Sequence, residues 1–155
     1  MLFRSVLPAD AVIDPALVWA IMREESGYRP WITSSAGARG LLQIMPETAE
    51  RLARRNGFRD FQPEDLYTPE VNIALGSAYL NELARRFPNR ISAAIGSYNA
   101  GPRAVSDWLR GDRAELEDDA WVEEIPYQQT RTYVKRVLRS LVVYRAFYAP
   151  AAPSA

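Results

Sequence analysis

Prolines set the framework of this chain. Asp14-Pro15, Met45-Pro46, Thr68-Pro69 and Gly101-Pro102 each place a proline directly before a stretch with helical spacing of apolar residues. At the first position of a helix the missing proline N–H costs nothing, and the fixed φ already suits the helix. Gly27, Gly57 and Gly101 stand where the preceding helices should stop, and are expected as left-handed caps. No run alternates with the two-residue period of a strand. The spacing predicts helices near 15–26, 46–55, 69–86, 91–99, 102–110 and 129–147, with an acidic connection from Gly111 to Glu124 before the last. Val134, Val137, Leu138, Leu141, Val142 and Tyr144 of that last helix recur at three- and four-residue steps and are expected to pack on a core, as are Ile73, Leu75, Leu80 and Leu83. The fold class is therefore all-α and compact. Residues 1–13 read as an N-terminal extension, 14–148 as the folded domain, and 149–155 (Ala-Pro-Ala-Ala-Pro-Ser-Ala) as a flexible tail.

Composition narrows the chemistry. The chain holds no Cys and no His, which removes thiolate nucleophiles, Ser-His-Asp triads, imidazole bases and Cys or His metal sites. Acid–base work falls mainly to carboxylates, with Tyr, the single Lys135 or a metal-bound water as poorer candidates. Nineteen basic residues cancel nineteen acidic ones, so no net field gathers nucleic acid or an anionic membrane. No stretch approaches the ~20 apolar residues of a membrane span. The first residues, Met1-Leu2-Phe3-Arg4-Ser5-Val6-Leu7-Pro8, lack the charged start and long apolar run of a signal peptide, so any export signal is expected outside this chain.

The first predicted helix carries an anomaly. At ~100° per residue, Leu17, Val18, Ile21 and Met22 define one apolar face, and Glu25 lies within roughly 10° of its centre. Glu24 lies roughly 90° away, on the flank. A carboxyl desolvated on such a face has a raised pKa, as a proton donor near neutral pH requires. From this helix alone, a Glu that turns into solvent or pairs with Arg29 or Arg39 fits as well. Downstream, Ser34-Ser35-Ala36-Gly37-Ala38-Arg39-Gly40-Leu41-Leu42-Gln43-Ile44-Met45-Pro46 is rich in small residues, which allow close approach of a helix or a ligand. Gly37-Ala38-Arg39-Gly40 has neither the sheet pattern nor the basic surplus that would make it a nucleic-acid clamp.

Five ordered segments together resemble the catalytic domain of the soluble-type (Slt-like) lytic transglycosylases, within the lysozyme-like superfamily. The family's Glu-Ser pair at the end of the first helix reads here as Glu25-Ser26, and its Gly-Leu-Met-Gln-Ile-Met-Pro segment as Gly40-Leu41-Leu42-Gln43-Ile44-Met45-Pro46. An Asp-Pro-x-x-Asn-Ile-x-x-Gly motif reads as Thr68-Pro69-Glu70-Val71-Asn72-Ile73-Ala74-Leu75-Gly76. Tyr98-Asn99-Ala100-Gly101-Pro102 is intact, with Trp108 beyond it, and the final signature runs from Val122 to Val134. Leu42 replaces the usual Met, Thr68 the usual Asp, and Gln129 the usual Glu of the last motif.

This resemblance implies a goose-type-like helical domain with a glycan-binding groove. It assigns Glu25 as the catalytic residue and places Ser34, Gln43, Met45, Tyr98 and Glu123 along the substrate, with Tyr98 near the acid and Glu123 on the opposite wall. Met45 as core, Ser34 as a turn cap and Glu123 as part of a solvated acidic run remain open alternatives. Asn99 is expected to secure the turn before Gly101. The implied reaction cleaves the β-1,4 bond between N-acetylmuramic acid and N-acetylglucosamine in peptidoglycan without water, leaving a 1,6-anhydro end. One carboxyl suffices because the attacking C6 hydroxyl belongs to the substrate. No cofactor and no metal are implied; the partner is the glycan strand, with no nucleic acid and no membrane span in this chain. A monomer in the bacterial periplasm or cell envelope is expected. A goose-type-lysozyme-like muramidase, a non-catalytic peptidoglycan-binding module and a helical adaptor are the alternatives.

Overall fold

The computed structural model describes residues 11–148. Each of the four prolines begins a helix: α1 (Pro15–Ser26), α2 (Pro46–Arg55), α3 (Pro69–Arg86) and, after α4 (Ile91–Ala100), α5 (Pro102–Trp108). Two further helices, α6 (Asp118–Glu123) and α7 (Gln128–Tyr148), complete the set, with single 3-10 turns at Pro63–Tyr67 and Gly111–Glu115. Among the described residues no strand forms; Thr33 with Arg39 and Arg39 with Ile44 make isolated bridges. No helix there is long and apolar enough to cross a membrane.

Local chemistry accounts for the ends of α1. Asp14 Oδ1 accepts the Ala16 N–H at 2.6 Å, and Gly27 closes the helix in a left-handed conformation (φ 56°, ψ 37°) with its N–H on the Arg23 carbonyl. The other expected glycine caps differ. α2 is closed by Asn56, with Gly57 one residue beyond, and Gly101 has a positive φ with extended ψ (87°, 148°) because it both ends α4 and begins α5. α4 runs through the middle, packed against α3, α5, α6 and α7, and the largest helix–helix interface joins α1 to α7.

The acidic connection is more structured than its composition suggests. Within it, α6 drives Trp121 and Val122 into the core, and Asp118 accepts the Ser92 N–H at the start of α4. Six residues are too few to show a helical period, so only burial reveals this element. Ile73, Leu75, Leu80, Leu83, Val134, Val137 and Leu141 are buried as expected, but Val142 is 68% exposed: α1 packs on α7 beyond it, where Trp19 meets Tyr144 and Tyr148, and Val142 lies on the side of α7 that faces solvent. Of the expected N-terminal extension, Ile13 lies in the core and the Val12 N–H donates to Asn81 Oδ1 at 2.8 Å. Residues 1–10 and the expected tail 149–155 lie outside the described residues.

Candidate active site

Glu25 sits in the last turn of α1, on the face that buries Leu17, Val18, Ile21 and Met22. From α7, Tyr133 donates its hydroxyl to Glu25 Oε1 at 2.6 Å. Burial pushes the Glu25 carboxyl up from its usual 4.5 to about 7; the Tyr133 hydrogen bond pulls it back somewhat, and the neighbouring Glu24 charge raises it further. The basic partners considered for Glu25 are engaged elsewhere. Arg29 Nε donates to the Ser26 carbonyl at 2.9 Å, and Arg39 pairs with Glu64 at 3.2 Å. Ser26 is buried, with its hydroxyl donating back to the Met22 carbonyl. The carboxyl of Glu25 therefore stays desolvated, with a phenol rather than a cation as its partner.

The small-residue loop before α2 is clamped. Gly40 (φ 78°) is buried so tightly that a Cβ would strike the Leu66 carbonyl and the Asn72 amide. Asn72, from α3, donates to the Arg39 and Leu66 carbonyls at 2.9 and 2.8 Å and accepts the Leu42 N–H at 2.8 Å. Tyr98 completes the grip on Leu42 by donating to its carbonyl at 2.7 Å, and Gly76 leaves room for the Leu42 side chain. Gln43 adopts a left-handed backbone (φ 47°), held by its own amide nitrogen donating to the Ile32 and Gly40 carbonyls at 3.1 and 2.9 Å. The Asn and Gly of the third segment and the Gln of the second are thus the groups that give this loop one shape.

A family described as Transglycosylase SLT domain matches residues 9–121. The chain belongs to this family. The SLT domain is 40% identical over 136 residues to the soluble lytic murein transglycosylase of Salmonella typhimurium, covering 87% of this chain and 21% of that protein. It is 35% identical over 153 residues to membrane-bound lytic murein transglycosylase C of Actinobacillus pleuropneumoniae, covering 85% of this chain and 42% of that one. The crystal structure of the 70 kDa soluble lytic transglycosylase of Escherichia coli superposes with a TM-score of 0.86 at 36% identity, over 95% of this chain and 24% of that chain. The chain therefore spans about a fifth of the length of its soluble relatives, and its fold is the lysozyme-like helical one.

Within the SLT domain, the residues expected along the substrate are placed unequally. Tyr98 is half-buried beside the ring of Tyr79 (5.5 Å between centroids), and desolvation, with the Glu25 charge adding to it, holds its phenol well above the usual range. Its hydroxyl goes to Leu42, so the phenol bonded to Glu25 is that of Tyr133 instead. Ser34 Oγ accepts the Ala38 N–H at 3.0 Å within its own turn, and Met45 is 42% exposed at the start of α2. Glu123 ends α6 on the surface, ion-paired with Lys135 at 2.7 Å. Asn99 departs from expectation: its side-chain oxygen accepts from Thr130 of α7 at 2.8 Å, which ties two helices together rather than closing its own turn. Tyr133 is the functional candidate that residue-by-residue reading missed. A signal existed, since Tyr133 is four residues before Val137 and eight before Leu141, a polar-tipped ring at the edge of a buried face.

Proposed function

We propose that this SLT domain is a peptidoglycan lytic transglycosylase acting with Glu25 as its single acid and base, in the bacterial periplasm or cell envelope and as a monomer. The observation that carries the reading is a half-buried carboxyl held near neutral pKa by desolvation and bonded to a tyrosine. A group titrating at about 7 is present as acid and as base at neutral pH, as a residue that first donates and then accepts requires. With Tyr133 on Oε1, the proton to be donated resides on Oε2. It passes to the glycosidic oxygen as the bond between N-acetylmuramic acid and N-acetylglucosamine breaks. The resulting carboxylate then takes the proton of the muramic acid C6 hydroxyl as that oxygen closes the 1,6-anhydro ring. No water is consumed, and Glu25 ends protonated, ready for another turnover.

Most glycoside hydrolases flank the bond with a second carboxylate. Here the nucleophile is part of the substrate, so the entropy of capturing a separate reactant is avoided. Ser34, Gln43, Met45, Tyr98 and Glu123 are proposed to line the glycan. The Gln43 amide nitrogen is held by the loop, which leaves its oxygen to accept from a sugar hydroxyl or acetamide. The names of the relatives, soluble and membrane-bound lytic murein transglycosylases, support the same substrate. The test is mass spectrometry of the products released from purified sacculi. Anhydro ends, lighter by one water than hydrolysed ends, are expected. Reducing ends would instead make the protein a goose-type-lysozyme-like muramidase, and binding without products a recognition module.

A further inference from the structure

The turn that ends the helix carrying Glu25 contains a side chain in an unfavourable backbone. Among the described residues four non-glycines have a positive φ: Tyr28 (65°), Gln43, Asp60 and Asn89. Asp and Asn tolerate that conformation, and Gln43 is fixed by its own amide, but a tyrosine there is an outlier. Tyr28 directly follows the left-handed Gly27, so the chain leaves α1 through two such residues in succession. Tyr28 is 46% exposed, so burial does not account for its position. Its hydroxyl does. It donates to the Trp19 carbonyl at 3.4 Å, back along α1, and bonds the hydroxyl of Tyr144 on α7. A phenol has one proton, and Tyr28 uses its own on Trp19, so the proton between the two phenols comes from Tyr144. Arg23 in turn bonds the Tyr144 hydroxyl, and a guanidinium can only donate. The donors therefore run one way, Arg23 to Tyr144 to Tyr28 to Trp19, beginning and ending on α1 and crossing to α7 between. Tyr144 is itself fixed. Its ring meets Trp19 edge-on at 6.3 Å, and its neighbour Arg145 pairs with Asp14 at 2.6 Å.

We propose that this chain of phenols locks the last turn of α1, which makes Tyr28 and Tyr144 positioning residues for Glu25. Helix ends fray because their last carbonyls lack partners within the helix. A carboxyl in such a turn moves with it. α7 counters the fraying at two points on one face. Tyr133 bonds the Glu25 carboxyl, and Tyr144, about three turns further along α7, bonds Tyr28 just beyond Glu25. The two contacts do different work. Tyr133 gives Oε1 its partner, whereas the lock fixes the helical turn from which the Glu25 side chain projects. With the lock open, the turn unwinds part of the time, water reaches the carboxyl, and Oε2 loses its aim at the glycosidic oxygen. The strain at Tyr28 is the sign that its ring, not its backbone preference, decides how the chain leaves the helix.

The inference rests on the proposed activity, and the experiment reads the two separately. The kcat and KM on purified glycan strands, and the Glu25 titration by carboxyl carbon NMR, are measured well below the melting temperature. The proteins are the wild type, Tyr28→Phe, Tyr144→Phe, the double variant and Tyr28→Gly. Each single Phe variant should lower kcat roughly five- to ten-fold, about the worth of one hydrogen bond, with KM within about two-fold of wild type. The double variant should be no worse than either, because one break opens the whole chain. Glu25 should titrate lower in each as water reaches it, the opposite direction to loss of the Tyr133 bond. Glu24, Tyr98 and Tyr133, the other titratable groups around it, stay in place in all of them. Tyr28→Gly suits a positive φ but has no ring, and should lose as much activity as Tyr28→Phe. Wild-type kcat with an unmoved titration in the Phe variants, losses that add in the double variant, or full activity in Tyr28→Gly would each overturn the lock. If the wild type forms no anhydro product, the activity itself fails and the titration alone decides: a lower Glu25 pKa in the Phe variants upholds the lock, and an unmoved one overturns it.

Discussion

Replacing Glu25 by Gln separates its chemical role from its structural one, and the structure sets the sign and size of the effect on stability. In the folded protein burial lifts this carboxyl from about 4.5 to about 7. The unfolded chain binds fewer protons than the folded one throughout that interval, so this group lowers stability progressively as pH rises from 4.5 to 7, and the full cost persists above it. Glutamine is neutral at every pH, keeps the shape, and still offers Tyr133 an oxygen to donate to. The variant should therefore match the wild type near pH 4 and be more stable at pH 8 by about 3 kcal/mol, the free energy of a shift of this size. For a domain of this length that is roughly 6–12 °C in Tm. Thermal unfolding followed by circular dichroism from pH 4 to 8 measures it directly. The same variant should lose turnover by on the order of a thousand-fold or more, the loss expected where one group is proposed to carry both proton transfers. A variant that is less stable than wild type at pH 8, or a stability difference that ignores pH, would refute a desolvated Glu25. Wild-type turnover would refute its role.

Tyr133→Phe removes the contact that holds the Glu25 pKa down, so the pH–rate profile should move to higher pH while kcat falls roughly ten-fold or more; an unmoved profile would make the tyrosine a packing residue. Tyr98→Phe leaves the Leu42 carbonyl without its donor, which should cost about 1–2 kcal/mol in urea unfolding and lower kcat more than it raises KM. Asn72→Ala deletes the hub of the clamped loop and should cost about 3 kcal/mol or more, read in the same unfolding assay, with KM rising as the loop loses its shape.

Helix positions were legible in the chain because their causes are local. A proline, an aspartate cap or a glycine acts on residues within a turn of itself, and α1 to α5 begin or end where those residues say. Glu25 was legible for the same reason, since a carboxylate on an apolar stripe is visible from helical geometry alone. α6 was not, because its cause is a buried Trp121 rather than a repeated pattern, and neither was the exposure of Val142, which depends on which side of α7 its neighbours cover. The roles of the motif residues divide in the same way. Asn72, Gly76 and Gly40 could be seen to matter, but that they join to hold Leu42 is a property of three segments meeting. The environment of Glu25 is the clearest case. Its hydrogen-bond partner lies 108 residues away on α7, and the burial that lifts its pKa is produced by that packing. Sequence alone determined which carboxyl could be the acid, because periodicity is written in adjacent residues. Only tertiary structure decided that it is one poised near neutrality, because desolvation belongs to no residue until other helices close over it.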